Sequence, residues 1–212
     1  MRGILLRVRG PWARFTRPEL KVEAVTYDVM TPTAAKAILG AIYRKPEMEW
    51  VVDEISVLKP IQTISMMLNY ITGNGGAIIN AGRTASVRPV DVTSMRDQRN
   101  TTILRDVDYV IRAHFDIVSG ENNPGKHQMM FLRRALQGQC FRHPYFGCRE
   151  FSVREFYPVK DVPESPLKGI IRLGFMLHSI DYANGQKKRF FNAVLENGRM
   201  AIPPVGSPEV KQ

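Results

Sequence analysis

One short segment of the chain concentrates the residue types that can do acid–base and phosphate chemistry. Residues 120–127 read Gly-Glu-Asn-Asn-Pro-Gly-Lys-His, a polar loop that leads into a predicted helix. The first turn of a helix presents unpaired N–H groups and partial positive charge, which attract phosphate. Lys126 would add a fixed cation, and His127 a group that transfers protons near neutral pH. The segment therefore favours phosphoryl chemistry, although a solvated helix start has the same pattern.

The helix that follows this loop is predicted over residues 123–138, with Asn123 as its N-cap and Pro124 at the first helical position. Helical spacing gives it two faces. The predicted core face holds Met129, Phe131, Leu132, Ala135 and Leu136. The opposite face holds Lys126, His127, Arg133 and Arg134. We therefore expect both candidate residues of the loop, and both arginines, at the surface.

A second predicted helix supplies a third candidate, Tyr43. This helix starts at Thr31 and Pro32 and is predicted to run to about Lys45, where the following proline ends it. Its apolar stripe contains Ala34, Ala37, Ile38, Ala41 and Ile42. Tyr43 is predicted on the side away from this stripe, beside Arg44 and Lys45. It is either a surface tyrosine lying over apolar neighbours or a partner of the loop at 120–127.

The remaining elements predict how these helices are held. Strands are predicted over residues 4–8, 50–58, 107–118, 167–180 and 189–196, and the glycines of residues 73–76 predict the turn of an inserted β-hairpin. The order strand, helix, strand, strand, helix, strand is that of the split βαβ, or ferredoxin-like, arrangement, which RNA-recognition modules also use. We expect an α+β fold with this domain over residues 1–147, its last strand returning at 167–180, and a smaller β extension over residues 148–212.

Composition narrows the class of protein. The 212 residues include 30 Lys and Arg against 20 Asp and Glu, a net charge of +10, with 44% hydrophobic residues. No apolar run reaches the roughly 18 residues that a membrane span needs, and the first ten residues, with arginines inside their apolar patch, do not resemble a secretory signal. The two cysteines fit free thiols in a reduced compartment. We expect a cytoplasmic protein without a membrane partner.

The four histidines do not indicate a metal site. None stands three or four residues from another with a carboxylate between them, as a zinc protease motif requires. His114 falls within the strand predicted over 107–118, on the same face as Arg112 and Asp116, so we expect a structural role for it. The sequence therefore predicts no metal and no other cofactor.

Positive charge is concentrated between residues 125 and 154. This stretch has six cations against one anion, with phenylalanine, tyrosine and histidine side chains between them. Cations neutralise phosphates and aromatic rings stack on bases, so the pattern favours nucleic acid; a solvated surface above core aromatics explains it equally well. The candidate RNA contacts are Arg44, Lys45, Arg133, Arg134, Arg142 and Arg149.

Several short motifs resemble one family in their order and spacing. They are FTRPE (15–19), YDVMTPTAA (27–35), IYRKP (42–46), LKPI (58–61), QRNT (98–101), LRDV (104–107), GKH (125–127), FGCREF (146–151) and ENG (196–198). Together they span nearly the whole chain. The sequence is similar to the Cas5 family of CRISPR-associated proteins, in its type I-C (Dvulg) subtype.

This resemblance implies a repeat-processing endoribonuclease with a ferredoxin-like domain and a C-terminal β extension. Such an enzyme cuts the CRISPR repeat transcript at the base of its hairpin without a metal, through attack of a ribose 2′-OH. It then stays on the 5′ handle of the mature guide RNA, with the backbone and large subunits of the interference complex and with duplex DNA as a further partner. The catalytic tyrosine, lysine and histidine of the family fall on Tyr43, Lys126 and His127.

Two other functions stay open. One is a guide-RNA-binding subunit that does not cut, as in other subtypes of the same family. The other is a general duplex-binding or ribosomal-type protein, which would explain the charge but not the motifs. A purely structural binder needs cations but no titratable group, so Tyr43, Lys126 and His127 favour the nuclease. Cleavage of the protein's own repeat RNA in excess EDTA separates the nuclease from both.

Overall fold

Eight strands and two helices follow one another in the computed structural model, which describes residues 3–20, 23–71, 96–120, 123–182 and 184–211. The architecture is α+β, as expected. In chain order the elements are β1 (Ile4–Ala13), α1 (Pro32–Ile42), β2 (Met48–Val57), β3 (Thr63–Ile71), β4 (Arg96–Ile117), α2 (Pro124–Leu136), β5 (Glu155–Pro158), β6 (Ile170–Asp181), β7 (Lys187–Glu196) and β8 (Arg199–Ala201).

All the strands join one sheet, in which every paired strand of the described chain is antiparallel to its neighbour. The order is β5-β1-β4-β2-β8-β7-β6, and β3 pairs with β4 outside this path. Because β8 pairs with β2, the strands after residue 148 continue the same sheet. The strand beside β1 is β5. The segment at 167–180, where the last strand of the first domain is predicted to return, forms β6, which lies at the opposite edge and pairs with β7.

The inserted hairpin has its two arms in β3 and in the first part of β4. They pair from Thr63 opposite Leu104 to Ile71 opposite Arg96. The predicted turn at 73–76 lies outside the described residues. Strand β4 continues past Asp106, whose φ is 52°, into the middle of the sheet between β1 and β2. The same strand therefore belongs to the hairpin and to the core.

The hydrophobic core lies between one face of the sheet and the two helices. Strand β1 shows the alternation expected of a half-buried strand, with Ile4, Leu6 and Val8 buried and the intervening residues partly exposed. Helix α1 packs against β2 and β6, and α2 packs against β5 and α1. No helix among the described residues is long and apolar enough to cross a membrane.

Both helices start where the sequence predicts. The Thr31 hydroxyl accepts from the Ala34 N–H at 3.3 Å, and the Asn123 side chain accepts from the Lys126 N–H at 3.1 Å. The end of α1 differs from the prediction, because the helix stops at Ile42 and not at Lys45. Tyr43 already has extended backbone angles, with φ −150° and ψ 123°. The helical spacing used to place Tyr43 therefore does not apply to it.

Candidate active site

Tyr43 and His127 meet inside the molecule. The Tyr43 hydroxyl lies 3.0 Å from Nδ1 of His127, although the two residues are 84 positions apart. Tyr43 is 3% exposed and His127 is 5% exposed. The surface positions predicted for both are therefore wrong, but the structure does bring the end of the first helix to the start of the second. A phenol bonded to an imidazole is an arrangement that can orient a ring and exchange a proton.

Two backbone bonds hold Tyr43 at the end of α1, one within the helix and one to β2. Its backbone N–H donates to the Leu39 carbonyl at 3.0 Å, and its own carbonyl accepts from Nε1 of Trp50 at 2.8 Å. These bonds hold the residue in its extended conformation just past the helix. The sequence marks Trp50 only as a residue of a strand, and its bond to Tyr43 depends on tertiary packing.

The face of α2 that packs against the core differs from the predicted one, and His127 lies on it. The buried residues of α2 are His127, Phe131 and Ala135, spaced four apart along one side of the helix. Met129 and Leu136, both predicted in the core, are 69% and 71% exposed. The bond to Tyr43 satisfies Nδ1 of the histidine, which lowers the free-energy cost of burying it.

Aromatic rings support the imidazole from the core side. The Phe115 ring lies edge-on to His127, with centroids 6.1 Å apart. The ring centroid of Trp50 lies 5.4 Å from that of Phe115 and 4.8 Å from that of Phe131. Contacts of this kind favour one orientation of each ring. Nε2 of His127 has no hydrogen-bond partner among the described residues.

The surroundings of Tyr43 keep its hydroxyl protonated. Burial raises the pKa of Tyr43, the negative charge of Glu47 raises it further, and the positive charge of Arg134 opposes both effects. Arg134 lies over the Tyr43 ring, 5.2 Å from its centroid, and its Nη1 donates to the Ile42 carbonyl at 3.1 Å. Arg134 is half-buried, so its predicted place on the exposed face is wrong.

The other predicted cations lie at the surface. Lys126 is exposed in the first turn of α2, one residue before His127. Arg44, Lys45, Arg133, Arg142 and Arg149 are exposed as well. Arg142 comes close to the site because its N–H and that of Phe141 both donate to the Ala41 carbonyl, at 3.1 and 2.8 Å. The end of α1 therefore has exposed positive charge after it and beside it.

The remaining histidines lie outside this site. Nδ1 of His114 contacts the two carboxylate oxygens of Asp53 at 2.8 and 3.0 Å, on the face of β4 that the sequence predicted. His143 and His178 each bond a backbone carbonyl through Nε2, that of Val153 and that of Pro203. Within the described ranges, no three His, Cys, Asp or Glu side chains are grouped as metal ligands would be.

Comparison with known sequences gives one consistent family. The model of a family described as CRISPR-associated protein (Cas_Cas5) matches residues 3–204. A protein of Mannheimia succiniciproducens named CRISPR pre-crRNA endoribonuclease Cas5d is 42% identical over 225 residues, covering 99% of this chain and 98% of that protein. A protein of Thermus thermophilus with the same name is 34% identical over 183 residues, covering 86% of this chain and 75% of that protein.

Comparison with solved structures agrees at the level of the fold. A crystal structure described as a CRISPR-associated protein superposes with a TM-score of 0.72 at 24% identity, covering 100% of this chain and 97% of that one. The functionally uncharacterized protein SMU1763c from Streptococcus mutans gives a TM-score of 0.71 at 24% identity, with the same coverage of both chains. The architecture described above is therefore one that solved proteins share over their whole length.

Proposed function

Because the chain belongs to the Cas5 family of CRISPR-associated proteins, in its Cas5d branch, we propose that it is an endoribonuclease that processes CRISPR repeat transcripts. It cleaves the transcript near the repeat hairpin and stays on the 5′ handle of the guide RNA as a subunit of the type I-C interference complex. The observation that carries the catalytic part is the bond between Tyr43 and His127. It joins two of the three residues to which the family resemblance assigns catalysis.

The proposed reaction is attack of a ribose 2′-OH on the adjacent 3′ phosphate. The 2′ oxygen loses its proton and bonds to phosphorus, the bond to the 5′ oxygen breaks, and that oxygen gains a proton. The products are a 2′,3′-cyclic phosphate and a 5′-OH. Such a reaction needs a group that exchanges protons and a cation that stabilises the charged phosphorane. His127 supplies the first, and Lys126, exposed beside it, supplies the second.

The geometry supports Nε2 as the atom of His127 that exchanges the proton with RNA. If His127 acts as the base, Nε2 has no proton and Nδ1–H donates to the Tyr43 oxygen. If it acts as the acid, both nitrogens are protonated and Nδ1–H again donates to Tyr43. In both roles the Tyr43 O–H is left to donate to a phosphate oxygen. The raised pKa of Tyr43 supports its role as a donor, since the phenol keeps its proton at neutral pH.

Exposed cations around the end of α1 support binding of the RNA backbone there. Arg44, Lys45, Arg133 and Arg142 are the proposed phosphate contacts, and Arg149 is a further exposed candidate. Phe141 is 74% exposed, with the Arg142 guanidinium 5.6 Å from its ring centroid. An exposed aromatic ring beside an arginine is a suitable platform for an unpaired base.

The strand order supports a ferredoxin-like assignment for the first part of the chain. In β5-β1-β4-β2, β1 and β2 are separated by one antiparallel strand and joined through α1, as in a split βαβ unit. We propose that β5 completes this domain and that β6, β7 and β8 form the C-terminal extension. The cytoplasm, where its two free thiols would stay reduced, is the proposed location.

The test is incubation of the pure protein with its own repeat RNA in excess EDTA. We expect cleavage at one site, with a cyclic phosphate on the upstream product. A repeat in which a 2′-deoxynucleotide replaces the ribose at that site should bind but stay intact, because the attacking oxygen is gone. A duplex DNA of the same sequence measures whether DNA is bound too. Tight RNA binding without cleavage would instead indicate a guide-binding subunit.

A further inference from the structure

Arg134 connects the two segments that carry the proposed catalytic pair. It lies on α2, seven residues after His127, which is two helical turns later on the same face. Its Nη1 donates to the carbonyl of Ile42, the residue before Tyr43, at 3.1 Å. Its guanidinium carbon lies 5.2 Å from the centroid of the Tyr43 ring. One side chain of the histidine's helix thus contacts both the backbone before Tyr43 and its ring.

The other bonds at the end of α1 come from elsewhere in the chain. The Tyr43 carbonyl accepts from Trp50 of β2, and the Ala41 carbonyl accepts from the N–H groups of Phe141 and Arg142. These bonds fix α1 against the sheet and against the segment that follows α2. The Arg134 bond is different, because it fixes the end of α1 directly against the helix that bears His127.

We propose that Arg134 is a positioning residue for cleavage: it holds the Tyr43 hydroxyl at bonding distance from Nδ1 of His127. This inference rests on the proposed function, since it assigns Arg134 a role in the same site. Arginine suits the role better than lysine, because its planar guanidinium can donate to a carbonyl while its face packs on an aromatic ring. An arginine committed to both contacts is not the phosphate contact that the sequence predicts.

Arg134→Ala should lower the rate constant of cleavage without weakening RNA binding. We expect a fall of about 10- to 100-fold in single-turnover cleavage at saturating protein, because a displacement of about 1 Å can have an effect of this size. The Kd for repeat RNA should stay within about twofold. Arg134→Lys can still bond the Ile42 carbonyl, so it should recover part of the rate.

Alanine substitutions at two exposed arginines, Arg133 and Arg172, provide comparisons for Arg134→Ala. Arg133 is exposed on the same helix. Arg133→Ala should weaken RNA binding but leave the rate constant of cleavage at saturating protein nearly unchanged, the opposite of the result expected for Arg134→Ala. Arg172 is exposed on β6 and is not among the proposed RNA contacts, so Arg172→Ala should match the parent in both measurements.

A spectroscopic measurement separates positioning from a general effect on folding. In protein labelled with 15N-histidine, the Nδ1 resonance of His127 reports its bond to Tyr43, and His127→Ala assigns it. Arg134→Ala should shift this resonance in the same direction as Tyr43→Phe, with the other three histidines unchanged. Arg134→Lys should give a smaller shift, which provides a second reading if the alanine variant folds poorly.

Three results would overturn the inference, and they are distinguishable. If Tyr43→Phe and His127→Ala lose cleavage and Arg134→Ala cleaves like the parent, only the positioning role is wrong. If Arg134→Ala loses affinity as strongly as Arg133→Ala, Arg134 is an RNA contact. If Tyr43→Phe and His127→Ala both cleave like the parent, the proposed catalytic site is wrong, and the role of Arg134 with it.

Discussion

Replacing Tyr43 by phenylalanine removes one oxygen atom and tests the bond on which the proposed site depends. The phenylalanine ring can keep the same packing, including its contact with Arg134. What is lost is the 3.0 Å bond to Nδ1 of His127. The variant therefore reports on that bond with little change in the volume of the core.

The expected effect on stability follows from the burial of the imidazole. His127 is 5% exposed, so Nδ1 loses a partner that water cannot easily replace. An unsatisfied buried polar group costs about 1–3 kcal/mol. In a protein of this length each kcal/mol lowers Tm by about 2–4 °C. Cleavage should slow by about 10- to 100-fold, because the imidazole loses its orientation but keeps its proton-transfer atom.

His127→Ala removes that atom and should slow cleavage more, by roughly 10²–10⁴-fold. The two changes combined give a double-mutant cycle. Once His127 is gone, removal of the hydroxyl should have little further effect on stability, which corresponds to a coupling of about 0.5–3 kcal/mol. Any further loss of cleavage would measure the hydroxyl's own bond to the phosphate. The measurements are urea midpoints and single-turnover cleavage in EDTA. Tyr182→Phe, which removes a hydroxyl from a residue 74% exposed, is the matched control.

Two outcomes would refute this reasoning. Tyr43→Phe could leave both the urea midpoint and the cleavage rate at parent values, in which case the bond contributes nothing measurable. Alternatively, the effects of the two substitutions on stability could simply add, and the two side chains would then not be coupled through their bond.

Three further predictions concern pH, backbone strain and charge. Burial lowers the pKa of His178. Below the ordinary histidine pKa of about 6.5, the unfolded chain binds a proton at this residue that the folded chain does not, so the stability of the fold decreases as pH drops from 7 to 5. His178→Gln should make the urea midpoint less dependent on pH in this range. Gly147 has φ 80°, and an added Cβ would lie 2.1 Å from the Arg14 carbonyl oxygen. At Gly169, where nothing lies within 4 Å of an added Cβ, the positive φ alone predicts that Gly169→Ala lowers the unfolding free energy by roughly 1–2 kcal/mol. Gly147→Ala should lower it by more, because the carbonyl of Arg14 must also move. Arg133→Ala should reduce the slope of log K against log salt by about 1, and an unchanged slope would place the RNA elsewhere.

Local signals in the sequence predict much of the framework. Thr31 and Asn123, each followed by proline, mark helix starts that the structure reproduces, because a cap and its first turn need only neighbouring residues. The alternation of Ile4, Leu6 and Val8 likewise predicts β1. These features depend on contacts within a few positions of the chain, so the pattern of residue types is sufficient to predict them.

The inward position of the catalytic candidates depends on distant contacts and is missed. Hydrophobicity places Met129 in the core and His127 outside, but a histidine whose nitrogen bonds a buried phenol can replace an apolar residue there. The end of α1 is decided by Trp50 and Arg134, 7 and 92 positions from the atoms that they bind. The place of β6 at the far edge of the sheet also depends on pairing that no local pattern specifies.

The long strand β4 gives one continuous piece of backbone two different local stabilities. Its residues 96–100 pair with β3 and alternate between exposed and half-buried, whereas residues 107–111 are all buried between β1 and β2. Backbone amides near the hairpin can exchange with solvent through local opening, while those in the middle of the sheet exchange only when the whole domain unfolds. Amide hydrogen exchange should therefore slow steeply along a single strand, with the change falling between Asn100 and Val107.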